Sequence, residues 1–186
     1  RVIVKEDDMT ATEPAPFVPS FDDEVSGDRK LAIICSKGNL DMAYPGLILA
    51  NAALGEGIET HLFFTFWGFD MINKKTMDHL KFSYLGNTAM HPPGAFGVSM
   101  PQGLAGMPGM TAVTTKMMKK QIADLDVPEV PEFLEQIHES GGHLWACRMS
   151  ADMMKLHEED LYEGVEGIIS ATDFMEVNQI LGSPGL

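Results

Sequence analysis

Four short apolar runs, at residues 31–34, 60–66, 143–146 and 167–170, alternate with segments of helical periodicity, and this alternation restricts the fold more than any other feature. The first run, Leu31, Ala32, Ile33 and Ile34, ends at Cys35 and a polar turn over 36–39. A run apolar on every residue reads as a strand buried on both faces of a parallel sheet. Asp41 is placed to cap the next helix, with Pro45 in its first turn, Leu47, Ile48, Ala50 and Leu54 on its apolar face, and Gly55 and Gly57 as its stop. The second run is β-branched and aromatic and closes at Trp67 and Gly68. Helical periodicity returns at Thr114 with Met117, Met118, Ile122 and Leu125, opposite Lys116, Lys119 and Lys120. Val130, Phe133, Leu134 and Ile137 then mark an amphipathic helix stopped by Gly141 and Gly142. The third run ends at a second cysteine, Cys147, after which Ser150 is placed to cap a helix through Met153, Met154 and Leu156. Ser170 or Thr172 caps the last helix, through Met175 and Ile180.

Strands alternating with helices predict an α/β fold: a three-layer α/β/α sandwich on a flavodoxin-like, mainly parallel sheet. The domain is expected over 29–186, preceded by an acidic, Pro-containing arm over 1–28 that carries eight acids against Arg1 and Lys5. The chain opens with Arg1 rather than Met, so an upstream segment is left open. Residues 82–115 form an insertion with no formally charged residue, in which ten of 34 positions are Gly or Pro. So many helix breakers exclude a membrane span, although surface association of this stretch stays open. Its methionines suit an adaptable contact surface, and a partner contact, a lid and mobile filler are the three readings of so long a loop.

Thirteen Lys and Arg face 27 Asp and Glu, a net charge of −14 that repels phosphate backbones and argues against nucleic acid as a partner. Two cysteines make no disulfide framework and no C-x-x-C pair, which points to a reducing, cytoplasmic setting. The six histidines are scattered without H-x-x-x-H or H-E-x-x-H spacing, and no Gly-rich phosphate cradle follows a strand, so neither metal nor nucleotide cofactor is expected. Met107, Met110 and His91 can be drawn as a soft Cu(I) site, but helix-face and loop packing accounts for them better.

Ligand sites of open parallel sheets lie beyond the carboxyl ends of the strands, at the switch point. Cys35 and Cys147 both follow strands, and a flavodoxin-like order would make those strands neighbours with both sulfurs facing one crevice. Arg148 and a helix starting near Ser150 would favour a Cys147 thiolate, and Lys37 would do so more weakly for Cys35. Each cysteine is also readable as a small buried hydrophobe.

Three blocks, over 35–45, 63–68 and 145–150, resemble the DsrE/DsrF-like family, in particular its larger branch encoded with rhodanese and TusA-like proteins. The resemblance spans about 29–181 and implies a flavodoxin-like homo-oligomer that carries sulfur as a cysteine persulfide. Cys147 matches the persulfide-bearing position of that family. Cys35 falls where a cysteine is less characteristic, and its role stays open. The implied activity is sulfur transfer in a sulfur relay, with a rhodanese-like or TusA-like protein as partner. In it Cys147 is the nucleophile, Arg148 and the amides near Ser150 stabilise the anion, and Trp145 limits water access. Two other readings stay open: a non-catalytic docking module that uses the acidic surface and the Met-rich loop, and a peroxide-reactive thiol protein.

Overall fold

A computed structural model describes residues 29–88 and 101–177. The acidic arm, residues 89–100 with Met90, His91 and Met100, and the expected helix end at Ile180 lie outside the described residues. Four strands, β1 (Lys30–Cys35), β2 (Glu59–Phe64), β3 (His143–Cys147) and β4 (Val165–Ile169), form one parallel sheet in the order β1-β2-β3-β4. The predicted runs thus become strands, with ends moved by a few residues.

Each crossover adds its strand on the same side of the previous one, so crossovers of one hand place their helices on one face. Helices α1 (Leu40–Gly55) and α4 (Val130–Glu139) pack together there. Ala43, Leu47, Ala50, Leu134 and Ile137 close over Leu62, Phe64, Leu144 and Ala146, all nearly or fully buried. Helix α6 (Ala171–Val177) follows the last strand and covers part of the opposite face, where Phe174 stacks on Phe63 at 4.5 Å between ring centroids. Ser170 and Asp173 exchange side-chain-to-backbone hydrogen bonds of 3.1 and 2.9 Å, the reciprocal cap that starts α6. These are the three layers of the α/β sandwich.

The strand order is not the one under which the two strands ending in cysteine would be neighbours. β2 and β3 are the interior strands, and β2, buried from Thr60 to Phe64, separates β1 from β3. β1 lies at the edge, with Ile34 68% exposed on the α6 side. Periodicity identifies strands but carries no information about which strands pair. The uncharged insertion also differs from a loop: it contains α2 (Gln102–Ala105) and the start of α3 (Met110–Ala123), one turn earlier than the sequence indicates. Met110 packs against the core within α3, whereas Met107 is exposed. At α1 the cap position is Asn39, so Asp41 lies in the first turn and Pro45 within the helix.

The chain leaves β2 through a 3-10 turn (Phe66–Met71) that packs against the end of β1. The Thr65 amide bonds the Cys35 carbonyl at 3.0 Å, and a Cβ at Gly68 would lie 2.0 Å from that same oxygen. Only glycine permits this backbone approach. Gly68→Ala is expected to destabilise the fold by about 2–3 kcal/mol, the usual cost of overpacking a close contact, as read by chemical denaturation.

The face opposite α1 carries a polar cluster in mid-sheet. His61 is 2% exposed, its ring stacks on that of His143 at 4.5 Å, and the pair is flanked by Glu59 and Glu166. Trp145 Nε1 donates to His61 Nδ1 at 3.2 Å, which leaves the His61 proton on Nε2 toward Glu59 Oε1 at 2.8 Å. Burial lowers the pKa of His61, and hydrogen bonds from Lys30 and His61 lower that of Glu59. Both groups therefore take up protons later in the folded chain than in the unfolded one, so acid favours unfolding. Stability is expected to decline as pH falls below the ordinary histidine value of 6.5, and further below the ordinary glutamate value of 4.5. Trp145→Phe removes the donor that opposes a second proton on His61 and should flatten the first part of the decline, measured by denaturation at a series of pH values.

Candidate functional site

Cys147 ends β3 and is itself the N-cap of α5 (Arg148–Met154). The expected cap, Ser150, instead lies inside the first turn and is fully buried. Its position follows from a partner distant in sequence: the Phe66 amide donates to Ser150 Oγ at 2.8 Å, while Thr65 Oγ1 lies 3.2 Å from the same oxygen. With the amide occupying Ser150 Oγ as acceptor, the serine proton is free to point elsewhere, and the sulfur lies within reach. Burial raises the Cys147 pKa, but hydrogen bonds from the Ser150 amide, the Thr65 and Ser150 hydroxyls and the Met149 amide outweigh it, and the thiol sits below its ordinary value. The thiolate is thus held by neutral donors.

Phe66 adopts φ +46°, a left-handed conformation unusual for a bulky residue. That conformation turns the chain sharply at Phe66, whose amide donates to Ser150. Cys147 is 5% exposed, and around it the same end of the sheet presents Phe66 (45%), Met149 (59%) and Met153 (51%) to solvent. Thr65 is the member of this group that sequence reasoning missed. Its strand alternation was visible, but its position beside Cys147 depends on the β2–β3 register, which pairs Phe63 with Trp145.

The other expected site residues are dispersed. Cys35 pairs with Phe64 and Phe64 with Ala146, so its side chain shares their face of the sheet, and Cys147, next to Ala146, points to the other. The two cysteines lie two strands apart, roughly 10 Å between α-carbons at the usual strand spacing, beyond reach of a disulfide. They do not share a crevice. Cys35 Sγ lies under α1 at Gly46, and burial pushes its pKa up to about 12. Arg148 donates to the Ile168 carbonyl at 2.9 Å and lies near Asp173 rather than serving as a donor to the sulfur. Lys37 lines an open cleft beside Trp67. Trp145, two residues before Cys147 on the same face of β3, is tied to His61.

Among the described residues, Glu59, His61 and His143 offer ligand atoms within 4.8 Å of one another. Lys30 Nζ already holds Glu59 Oε1 at 2.8 Å, and the Trp145 donor fills His61 Nδ1. A cation bound at His61 Nε2 would displace an ammonium group and leave that ring without its proton, so the arrangement suits protons rather than a metal. These two histidines lie 82 positions apart, and their stacking is visible only in the register.

Ser150→Ala and Thr65→Val each remove a donor to the sulfur. The pH midpoint for alkylation of Cys147 should move upward in each variant and further in the double variant. Alkylation at neutral pH should slow correspondingly. Peptide-resolved iodoacetamide kinetics provide the test, with Cys35 expected to stay unlabelled in the native protein.

The chain is 38% identical over 139 residues to the sulfur carrier protein DsrE2 of Allochromatium vinosum, covering 74% of this chain and 86% of that one. It is 29% identical over 143 residues to the uncharacterized protein YrkE of Bacillus subtilis, covering 74% and 84%. A solved structure of MTH1491 from Methanobacterium thermoautotrophicum, a protein of unknown function, covers 83% of this chain and 95% of its own at TM-score 0.49 and 10% identity. Residues 27–180 match the DsrE/DsrF/DrsH-like family, and the chain belongs to that family.

Proposed function

We propose that this chain is a sulfur carrier that holds sulfane sulfur as a persulfide on Cys147 and passes it to a partner protein. The observation that carries the reading is the contrast between two buried thiols: four hydrogen-bond donors at the start of α5 lower the pKa of Cys147, whereas burial without such donors raises that of Cys35. Similarity to a protein named a sulfur carrier gives that contrast its chemical direction.

In the loading step, the Cys147 thiolate attacks the outer sulfur of a donor persulfide. A bond forms between Cys147 Sγ and that sulfur, the bond between the two donor sulfurs breaks, and the donor leaves as a thiolate. The product is an anion with its charge on the terminal sulfur, beside the Thr65 and Ser150 hydroxyls and the Met149 and Ser150 amides. Unloading is the same displacement in reverse, with an acceptor thiolate attacking the outer sulfur and the Cys147 thiolate leaving. A lowered thiol pKa serves both halves, since it raises the thiolate fraction and improves the leaving group.

The donor and acceptor in this scheme are a rhodanese-like or TusA-like protein, and the chain works as a homo-oligomer in the cytoplasm, where thiols stay reduced. The exposed Phe66, Trp67, Met149 and Met153 side chains support a protein-docking role for this end of the sheet. Among the described residues no helix is long and apolar enough to cross a membrane.

The test is mass spectrometry of the reduced protein after incubation with polysulfide or glutathione persulfide. The Cys147 peptide is expected to gain the mass of one sulfur, the gain to disappear in Cys147→Ser and to persist in Cys35→Ser. Sulfur added only at Cys35, or a Cys147 that takes up neither sulfur nor iodoacetamide, would refute the proposal.

A further inference from the structure

Strand β1 leaves one edge of the sheet open, with no strand beyond it among the described residues. The Arg29 and Cys35 carbonyls accept from the Glu59 and Thr65 amides, so alternate residues 29, 31, 33 and 35 turn their backbone groups toward β2. Lys30, Ala32 and Ile34 therefore aim theirs outward, away from the sheet. Their side chains share the α6 face, where Ala32 is exposed and Ile34 stands open to solvent beside the buried Phe63. A row of outward amides and carbonyls next to an uncovered isoleucine is an edge of the kind that proteins pair or cover.

The chain carries a fitting segment immediately upstream of this edge. Phe17, Phe21 and Val25 recur at even spacing, which places them on one face of an extended segment. Ser26, Gly27 and Asp28 are turn-forming residues, and Arg29, the first described residue after them, already stands at the entrance of β1. A four-residue connection over 26–29 is a common hairpin length, and it sets Val25 opposite Lys30, Asp23 opposite Ala32 and Phe21 opposite Ile34. These are the three β1 residues whose backbone groups point outward. A slip of one residue would turn Phe21 to the other face, away from Ile34.

The acids of the segment suit the same placement. Asp22, Asp23 and Glu24 would charge the outermost strand, the usual safeguard against pairing with another chain. So short a connection also costs little closure entropy. The C-terminal residues 178–186 start near the same edge, since Lys30 Nζ donates to the Val177 carbonyl at 3.4 Å. Gly182, Pro184 and Gly185 make them a poor strand.

We infer that residues 21–25 of the acidic arm dock on β1 as a fifth, antiparallel strand, with Phe21 packed on Ile34. The open edge of the sheet is thus an intramolecular docking surface, and its occupant is the chain's own arm. Antiparallel pairing carries Phe17 to Pro19 on toward the carboxyl end of β1, the end of the sheet at which Phe66 and Trp67 are exposed. The inference does not depend on the sulfur-carrier reading.

The experiment is residue-resolved amide hydrogen exchange on the full chain. The Ala32 and Ile34 amides are expected to exchange about tenfold or more slowly relative to unpaired amides, and Phe21→Asp should return both to the open rate. The Leu31 and Ile33 amides face β2, so they should stay protected in both proteins and serve as the check that the variant is folded. In the native chain, nuclear Overhauser contacts between the Phe21 ring and the Ile34 methyls are expected, which reads the register without a substitution. Free exchange of Ala32 and Ile34 in the native chain overturns the inference. Protection that persists in Phe21→Asp also overturns it: loss of that protection on dilution assigns the edge to a second copy, and its retention assigns the edge to another part of the chain.

Discussion

The hydrogen bond from the Phe66 amide to Ser150 Oγ joins the exit of β2 to the first turn of α5, and the surroundings of Cys147 are organised around it. It turns a buried serine into a defined donor and holds Thr65 next to it. It also gives the left-handed Phe66 a favourable contact that offsets part of its backbone strain. The 3-10 turn that follows is locked from the other side by Gly68 against the Cys35 carbonyl. Two strands and a helix thus meet at a junction with little freedom, and the Cys147 sulfur sits within it. A thiolate needs such rigidity when its stabilisation comes from neutral groups, because hydroxyl and amide dipoles act only at short range and in one orientation.

Much of the fold can be read from periodicity. Residues 130–137 announce α4 by their spacing, and the short apolar runs locate all four described strands, because burial of a strand or a helix face leaves a mark on every turn. The caps are harder to read. Asn39 and Asp41, or Cys147 and Ser150, are all polar or small residues within one turn of a helix start, and local preference does not choose between them. At α5 the choice is made by Phe66, far away in sequence. Strand order is hidden for the same reason, since it depends on which apolar faces meet across the sheet. Thr65 and the His61–His143 stack emerge only when the β2–β3 register is known.

Composition likewise describes an average that the surface does not follow. A net charge of −14 describes the whole chain, yet Lys37, Lys81, Lys116 and Lys119 line two adjoining open clefts that share His79, Leu80 and Lys81. In sequence Lys37 and Lys81 lie far from each other and from the cluster of Lys116, Lys119 and Lys120 in α3. The sheet shows a comparable division. The face under α1 and α4 is almost wholly apolar, while the other carries histidines, carboxylates and a lysine at one end and the cysteine at the other.

The placement of the two cysteines on opposite faces also determines how sulfur bookkeeping would work for a carrier of this design. With Cys35 out of reach and held as a thiol, a loaded chain has no neighbour on which to discharge. Such a carrier would hold its sulfur at one position per chain, and no ring closure onto Cys35 would make loading irreversible. The occupancy of Cys147 would follow the ratio of loaded to unloaded partners in the surrounding pool, rising and falling with it. Such a molecule acts as a buffer for sulfur, and the direction of net flow belongs to the pathway it serves rather than to the protein itself.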